Sequence, residues 1–106
     1  MNWNTAENKQ LVEALLLLQT PAEARKFLRD LMTEGEILDF GRRLQTAKML
    51  SEGVPYPLIQ SATGFSSTTV ARVSKWLQEG EGGYDLVLNK LNHVHHRTNS
   101  LERGLR

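Results

Sequence analysis

The residues best suited to chemistry in this chain of 106 residues lie in the stretch IQSATGFSSTTVARVSKWL, residues 59–77. Seven of its side chains carry a hydroxyl group, and the cations Arg72 and Lys75 lie near its end. Hydroxyl and basic side chains bind phosphate oxygens and the polar edges of nucleotide bases. Small hydroxylated residues are mediocre helix formers, so their concentration at a helix start indicates capping, ligand contact or both.

Two predicted helices position these side chains. The first covers about residues 56–63, and the second begins at Ser66 or Ser67 and runs through Leu77. Gly64 lies between them, where a glycine permits the positive φ of a tight turn. The pattern predicts a helix-turn-helix over about residues 55–78, with Ser66 as the N-cap of the second helix. The apolar residues predicted to lock the pair together are Ile59, Phe65, Val70 and Val73.

The outward face of the second helix would then carry small, hydroxylated and basic side chains. In DNA-binding proteins of this type, the N-terminal residues of the second helix meet base edges in the major groove. We therefore predict that this helix contacts DNA. The alternative is an ordinary pair of helices whose hydroxyl groups only cap the second one. The candidate contacts are Ser66, Ser67, Thr68, Thr69, Ala71, Arg72 and Lys75.

The distribution of charge favours the same region. Residues 42–75 contain five basic side chains and one acidic side chain, whereas residues 1–41 contain four basic and seven acidic ones. A local basic patch is typical of a phosphate-binding surface, although a solvated helix face has the same composition. The basic block adds Arg42 and Lys48 to the candidate DNA contacts.

The rest of the chain is predicted to be helical, giving an all-α fold of six helices over residues 1–97 and a disordered tail over residues 98–106. Thr20 to Glu23 and Thr33 to Glu36 are capping boxes that begin the second and third helices. The first helix contains LVEALLLL, which is apolar on nearly all sides. A chain this small has difficulty burying such a helix alone, so the pattern favours an intertwined homodimer.

Other chemistries have little support in the sequence. His93, His95 and His96 have no Cys, Asp or Glu nearby to complete a ligand set, so we expect no metal site. No catalytic constellation is readable, and GEGG lacks the Lys-Ser or Lys-Thr of a phosphate-binding loop, so we expect no enzyme. Cysteine is absent and no apolar run could span a bilayer. These features favour a cytoplasmic protein that does not interact with membranes, and the predicted DNA binding would associate it with the nucleoid.

The sequence resembles the Trp repressor superfamily, and within it the YerC/YecD-type branch. The segments that carry the resemblance are FGRRLQTAKMLSEG, TGFSSTTVARVSKWL and GGYDLVLNKL, and the resemblance covers most of the chain. It implies a Trp-repressor-like fold, an intertwined homodimer with two DNA-reading heads, and a transcriptional regulator that binds operator DNA.

The resemblance also points to an effector pocket. The founding member of the superfamily holds tryptophan between two arginines, which match Arg43 and Arg72 here. The glycine that follows the second arginine is replaced by Val73, whose β-branched side chain would intrude on the indole ring. We therefore expect no cofactor and no tryptophan corepressor, and a different small-molecule effector or none. The alternative for Arg43 and Arg72 is contact with phosphate or pairing with acidic side chains.

Two functions remain open on the sequence. The first is a homodimeric, sequence-specific regulator of transcription that binds double-stranded DNA, with repression as the expected outcome. The second is a helical protein-interaction module that keeps the fold without specific DNA binding. Salt dependence separates them, because DNA binding through several Lys and Arg side chains weakens steeply as salt is added.

Overall fold

The computed structural model describes the backbone of residues 1–104 and the side chains of residues 1–95. Within that range the chain forms helices and no strands, which confirms the all-α prediction. It divides into two compact units, Met1–Leu38 and Asp39–Arg106. The helices are α1 (Ala6–Leu17), α2 (Pro21–Leu31), α3 (Glu34–Ser51), α4 (Tyr56–Thr63), α5 (Ser67–Glu79) and α6 (Gly83–Gly104).

Side-chain caps begin each helix of the first unit. The Thr5 hydroxyl accepts a hydrogen bond from the Asn8 amide at the start of α1. Thr33 and Glu36 form the predicted capping box of α3, with reciprocal hydrogen bonds of 3.0 and 3.1 Å. At α2 the Thr20 hydroxyl accepts from the Glu23 amide as predicted, but the Glu23 carboxylate accepts from the amide of Gln19 instead of that of Thr20. Local sequence therefore fixes where these helices start.

Helix α1 has no buried residue. Leu16 and Leu17 are 79% and 75% exposed, and Leu11, Val12 and Leu15 are also exposed. The predicted apolar helix is thus present, and a single chain leaves much of its surface uncovered. A contiguous apolar surface of this kind is characteristic of an interaction site rather than of a solvated helix.

The second unit is built around a small core that joins three helices. Ala47 of α3, Val73 of α5 and Leu88 of α6 are buried together, and Leu44, Leu50 and Tyr84 pack around them. Helix α3 ends shortly before Gly53, which has a φ of 77°. The Gly53 amide donates to the carbonyl oxygen of Leu50, and the Val54 amide donates to that of Met49. This is the Schellman arrangement, which satisfies the last carbonyl groups of a helix.

Helix α6 is longer than the segment YDLVLNKLNHV in which the sequence pattern was clearest, since it continues to Gly104. The domain boundary at residue 97 and the disordered tail over residues 98–106 stay predictions. Residues 105–106 lie outside the described residues, as do the side chains from residue 96 onwards.

Candidate nucleic-acid interface

The turn between α4 and α5 has the geometry that the sequence predicted. Gly64 adopts a φ of 76°, in the left-handed region, and its amide donates to the carbonyl oxygen of Gln60 at 2.8 Å. Glycine enters this region without the steric cost that a Cβ atom imposes. The chain therefore leaves α4 and starts α5 within three residues, which fixes the two helices as a closely connected pair.

Thr63 joins the end of α4 to the turn. Its hydroxyl donates to the carbonyl oxygen of Ile59 at 2.8 Å and accepts from the Phe65 amide at 3.2 Å. The Thr63 side chain is buried, and its bond to Ile59 is shielded from water. Sequence reasoning had assigned Thr63 only to the supporting helix. A hydroxyl residue immediately before a turn glycine is the signal that could have revealed this role.

Buried apolar residues hold the pair together. Ile59 of α4 and Val70 of α5 are fully buried, Phe65 of the turn is partly buried, and α4 and α5 contact each other. Val73 is buried further along α5, and Leu77 is partly buried. The side of α5 that carries these residues is therefore committed to packing, as predicted.

Ser66 caps α5. Its hydroxyl oxygen accepts from the Thr69 amide at 3.2 Å, and the two hydroxyl oxygens of Ser66 and Thr69 are 3.1 Å apart. The capping prediction is confirmed, and the Thr69 hydroxyl also takes part in stabilising the first turn. Ser66 and Thr69 remain candidate DNA contacts, but both already have a local hydrogen-bonding partner.

Four exposed residues of α5 lie on one face opposite the buried valines. Successive residues of an α-helix are about 100° apart around its axis, so the positions of Thr68, Ala71, Arg72 and Lys75 fall within an arc of about 100°. This arc is centred opposite Val70, Val73 and Leu77. These four side chains are exposed, as are Ser67 at the edge of the arc and Glu79, which falls within the arc at the C-terminal end of α5. We call Thr68, Ala71, Arg72 and Lys75 the α5 outer face.

The start of α5 is suited to an anion. Its first turn contains no acidic residue, which is also true of α4, whereas the first turns of α1, α2, α3 and α6 each contain at least one. Free amide groups and the helix dipole give the N-terminus a partial positive charge, and acidic side chains usually neutralise it. At α5 this charge is left for a group outside the helix, and Arg72 and Lys75 add full positive charges on the same side.

The two basic candidates on α3 do not share a face. Arg42 and Lys48 are six residues apart, which places them about 120° apart around the helix axis and about 9 Å apart along it. Arg42 is exposed, whereas Lys48 is partly buried. Each remains a predicted DNA contact, but α3 cannot present both of them to one flat surface.

The three residues of the predicted effector pocket, Arg43, Arg72 and Val73, lie in different environments. The Arg43 Nε atom lies 3.0 Å from an Asp39 carboxylate oxygen, and its guanidinium group lies 5.4 Å from the centre of the Phe40 ring. Arg72 belongs to the α5 outer face. The side chain of Val73 is 4% exposed and packs into the core with Ala47 and Leu88. Val73 is therefore part of the core, and the exclusion of tryptophan by its side chain stays a prediction.

Two further observations concern a metal site and a membrane-spanning helix. Within the described residues, no group of three or more His, Cys, Asp or Glu side chains is placed to hold a metal ion. A search of the same residues finds no helix with the length and apolar character needed to cross a bilayer.

Comparisons with known proteins give a consistent result. The model of the Trp repressor protein family matches residues 6–92, a range that includes every candidate residue described above. The uncharacterized protein YerC of Bacillus subtilis strain 168 is 34% identical over 94 residues, which cover 89% of this chain and 90% of YerC.

Two solved structures resemble the fold closely. A TrpR-like protein from Eubacterium eligens ATCC 27750 is 39% identical with a TM-score of 0.82, and the match covers 85% of this chain and 93% of that one. A candidate Trp repressor from Staphylococcus aureus is 35% identical with a TM-score of 0.81, covering 87% of this chain and 95% of that one.

Proposed function

Because the chain belongs to the Trp repressor family, we propose that it is a homodimeric transcriptional regulator that binds double-stranded DNA sequence-specifically and acts as a repressor. The observation that carries the proposal is the α5 outer face, where small, hydroxylated and basic side chains lie opposite the buried valines. Short side chains at the start of such a helix let its backbone approach the major groove closely.

Each part of the α5 outer face has a role in this proposal. Thr68 offers a hydroxyl group that donates to or accepts from a base edge, and Ala71 offers a methyl group that can contact thymine. Arg72 reads guanine or binds phosphate, and Lys75 binds phosphate as a point charge. Ser66 and Ser67, at the N-terminus of α5, are placed to meet a phosphate together with the free amides there.

The homodimer is supported by the exposed apolar surface of α1. Leu11, Leu15, Leu16 and Leu17 remain exposed in a single chain, and burial of apolar surface is the main favourable term in protein association. A second copy of the same chain would cover this surface and supply a second DNA-reading head. Two heads related by twofold symmetry would bind a palindromic operator.

Tryptophan has no place in the proposed mechanism. The family's known corepressor would need space where Val73 is buried, and Arg43 is already paired with Asp39. The protein acts neither as an enzyme nor at a membrane in this proposal, and it works in the cytoplasm on the nucleoid. A calorimetric titration with tryptophan should show no saturable binding in the micromolar range, and one-to-one binding per subunit would contradict this part of the proposal.

Selection of bound fragments from genomic DNA tests the proposed function directly. The intact protein should enrich a small set of fragments that share a palindromic motif. Arg72→Ala should weaken binding to those fragments by roughly 1–3 kcal/mol per head, because a bidentate contact to a base is worth about that much. The matched control is Lys26→Ala, which removes an exposed cation from α2 and should bind like the parent protein.

Two results would contradict the proposal. Without any enriched fragment, and with only salt-insensitive protein partners recovered, the chain would be the protein-interaction module. If Arg72→Ala bound the selected fragments as tightly as the parent, the assignment of α5 as the reading helix would be wrong.

The proposed dimer is tested by placing charge on α1. Leu16→Glu should convert the protein to a monomer in sedimentation equilibrium, since a carboxylate at the centre of an apolar interface is costly to bury. Leu58→Glu is the matched control, because Leu58 is also exposed but lies in α4. A Leu16→Glu variant that stayed dimeric would refute the placement of the interface on α1.

A further inference from the structure

Val73 links α5 to the core of the second unit. Among the described residues, it is the one residue of α5 in the buried cluster that α5 shares with Ala47 of α3 and Leu88 of α6. Val70, the other fully buried valine of α5, lies nearer the turn that joins α5 to α4. The α4–α5 pair is therefore connected internally through its turn and its own apolar contacts, and it is joined to this core through Val73.

We propose that Val73 is the positioning residue of the DNA-reading head, and that its packing sets the angle of the α4–α5 pair without any bound effector. The inference rests on the proposed function and deepens it. A side chain with 4% exposure makes its contacts all the time, whereas a ligand makes them only when it is present. DNA binding by this protein is therefore independent of a small-molecule corepressor.

The physical argument concerns what fills the space beside α5. Protein interiors are close-packed, so a helix is held at a definite angle only when its contact surface is filled. A pocket open to a ligand would leave that angle undefined until the ligand bound. Here the side chain of Val73 is buried in one cluster with Ala47 of α3 and Leu88 of α6, and it is covalently part of the helix that it positions.

The test uses the intact protein and a DNA fragment that it selects. Val73→Ala removes the two methyl groups and should raise the Kd for this DNA about tenfold, as expected if the binding-competent fraction of heads falls to about one tenth. Affinity is measured well below the thermal unfolding midpoint of each variant, where circular dichroism shows full helix content. Addition of tryptophan should leave the affinity of the parent unchanged.

A second substitution separates positioning from stability alone. Ala47→Val returns two methyl groups to the same cluster from α3, so the double variant Val73→Ala/Ala47→Val should recover most of the lost affinity. The control Leu28→Ala truncates a partly buried side chain of α2 in the other unit. It should lower the unfolding midpoint without changing the affinity for DNA.

Each outcome is decisive. A folded Val73→Ala variant that binds DNA like the parent overturns the inference, and so does a double variant that packs normally but does not recover affinity. Stimulation of the parent by tryptophan also overturns it. If the parent selects no DNA at all, the proposed function itself fails, and that result is distinguishable from the others because it precedes every comparison of variants.

Discussion

Lys75 offers the most quantitative test of the proposed contact with DNA. It lies on the α5 outer face, one turn beyond Ala71 and opposite the buried valines, and its side chain is exposed. Each phosphate neutralised on B-DNA contributes about −0.9 to the slope of log K against log salt concentration. Lys75→Ala removes one such contact per head, so a dimer with two heads should lose about 1.8 from the magnitude of its slope.

The size of this effect is easily measured. Between 50 and 200 mM salt, a difference of about 1.8 in slope means that the fold-loss of DNA affinity is about twelve times larger for the parent than for Lys75→Ala. Fluorescence anisotropy with a selected duplex, titrated at four or five salt concentrations, gives both slopes. The loss should also be similar for a selected and a random duplex, because a phosphate contact carries no sequence information.

The control is Lys26→Ala, which removes the same charge from an exposed position on α2. The salt slope of Lys26→Ala should equal that of the parent. A smaller slope found only for Lys75→Ala would then be due to the position of Lys75 and not to the change in net charge. An unchanged slope for Lys75→Ala would refute the placement of DNA along the α5 outer face. Equal changes in both variants would show that only overall charge matters.

Three further predictions concern the local structure that supports the site. Gly64→Ala should destabilise the protein by about 1–2 kcal/mol because residue 64 has a positive φ. Gly41 lies in the interior of α3 with open space around it, so Gly41→Ala should stabilise the protein by about 0.5–1 kcal/mol. Urea unfolding in which both variants changed the stability in the same direction would contradict this prediction. Ser66→Ala should cost about 1 kcal/mol through loss of the α5 cap, and Ser67→Ala, which removes an exposed hydroxyl without a capping role, should cost much less in the same assay. Hydrogen bonds from Thr33 hold the pKa of Glu36 below its ordinary value of 4.5, so the carboxylate stabilises α3 above that pH and the contribution is lost as pH falls through the lowered pKa. Glu36→Gln keeps an acceptor oxygen but cannot titrate, so its stability should fall less than that of the parent below pH 4.5, and identical acid unfolding curves would contradict this explanation.

Local signals in the sequence were sufficient for most of the fold. The helix starts at Thr5, Thr20, Thr33 and Ser66 follow from capping chemistry that acts within four residues. The turn at Gly64 follows in the same way, since only the backbone of that residue has to adopt the left-handed conformation. Short-range rules suffice wherever the partner of a group lies nearby in the chain.

Other features were not readable because they depend on distant residues or on competing local bonds. The core of Ala47, Val73 and Leu88 joins helices far apart in sequence, and periodicity shows only that each residue faces inwards. The pairing of Arg43 with Asp39 was one of several options for a basic side chain that the resemblance placed in a pocket. The hydrogen bond from the Phe65 amide to the Thr63 hydroxyl could not be predicted without knowing where that amide points after the turn.

The exposed leucines of α1 have a consequence for the life of the protein in a cell. A newly made chain presents Leu16 and Leu17 to any factor that binds apolar segments, including chaperones and proteases. In the proposed dimer, pairing with a second copy would compete with that capture, and the rate of pairing would rise with the square of chain concentration. Under this proposal, turnover should be fastest when the protein is scarce, so that small changes in synthesis are amplified into larger changes in the amount of dimer.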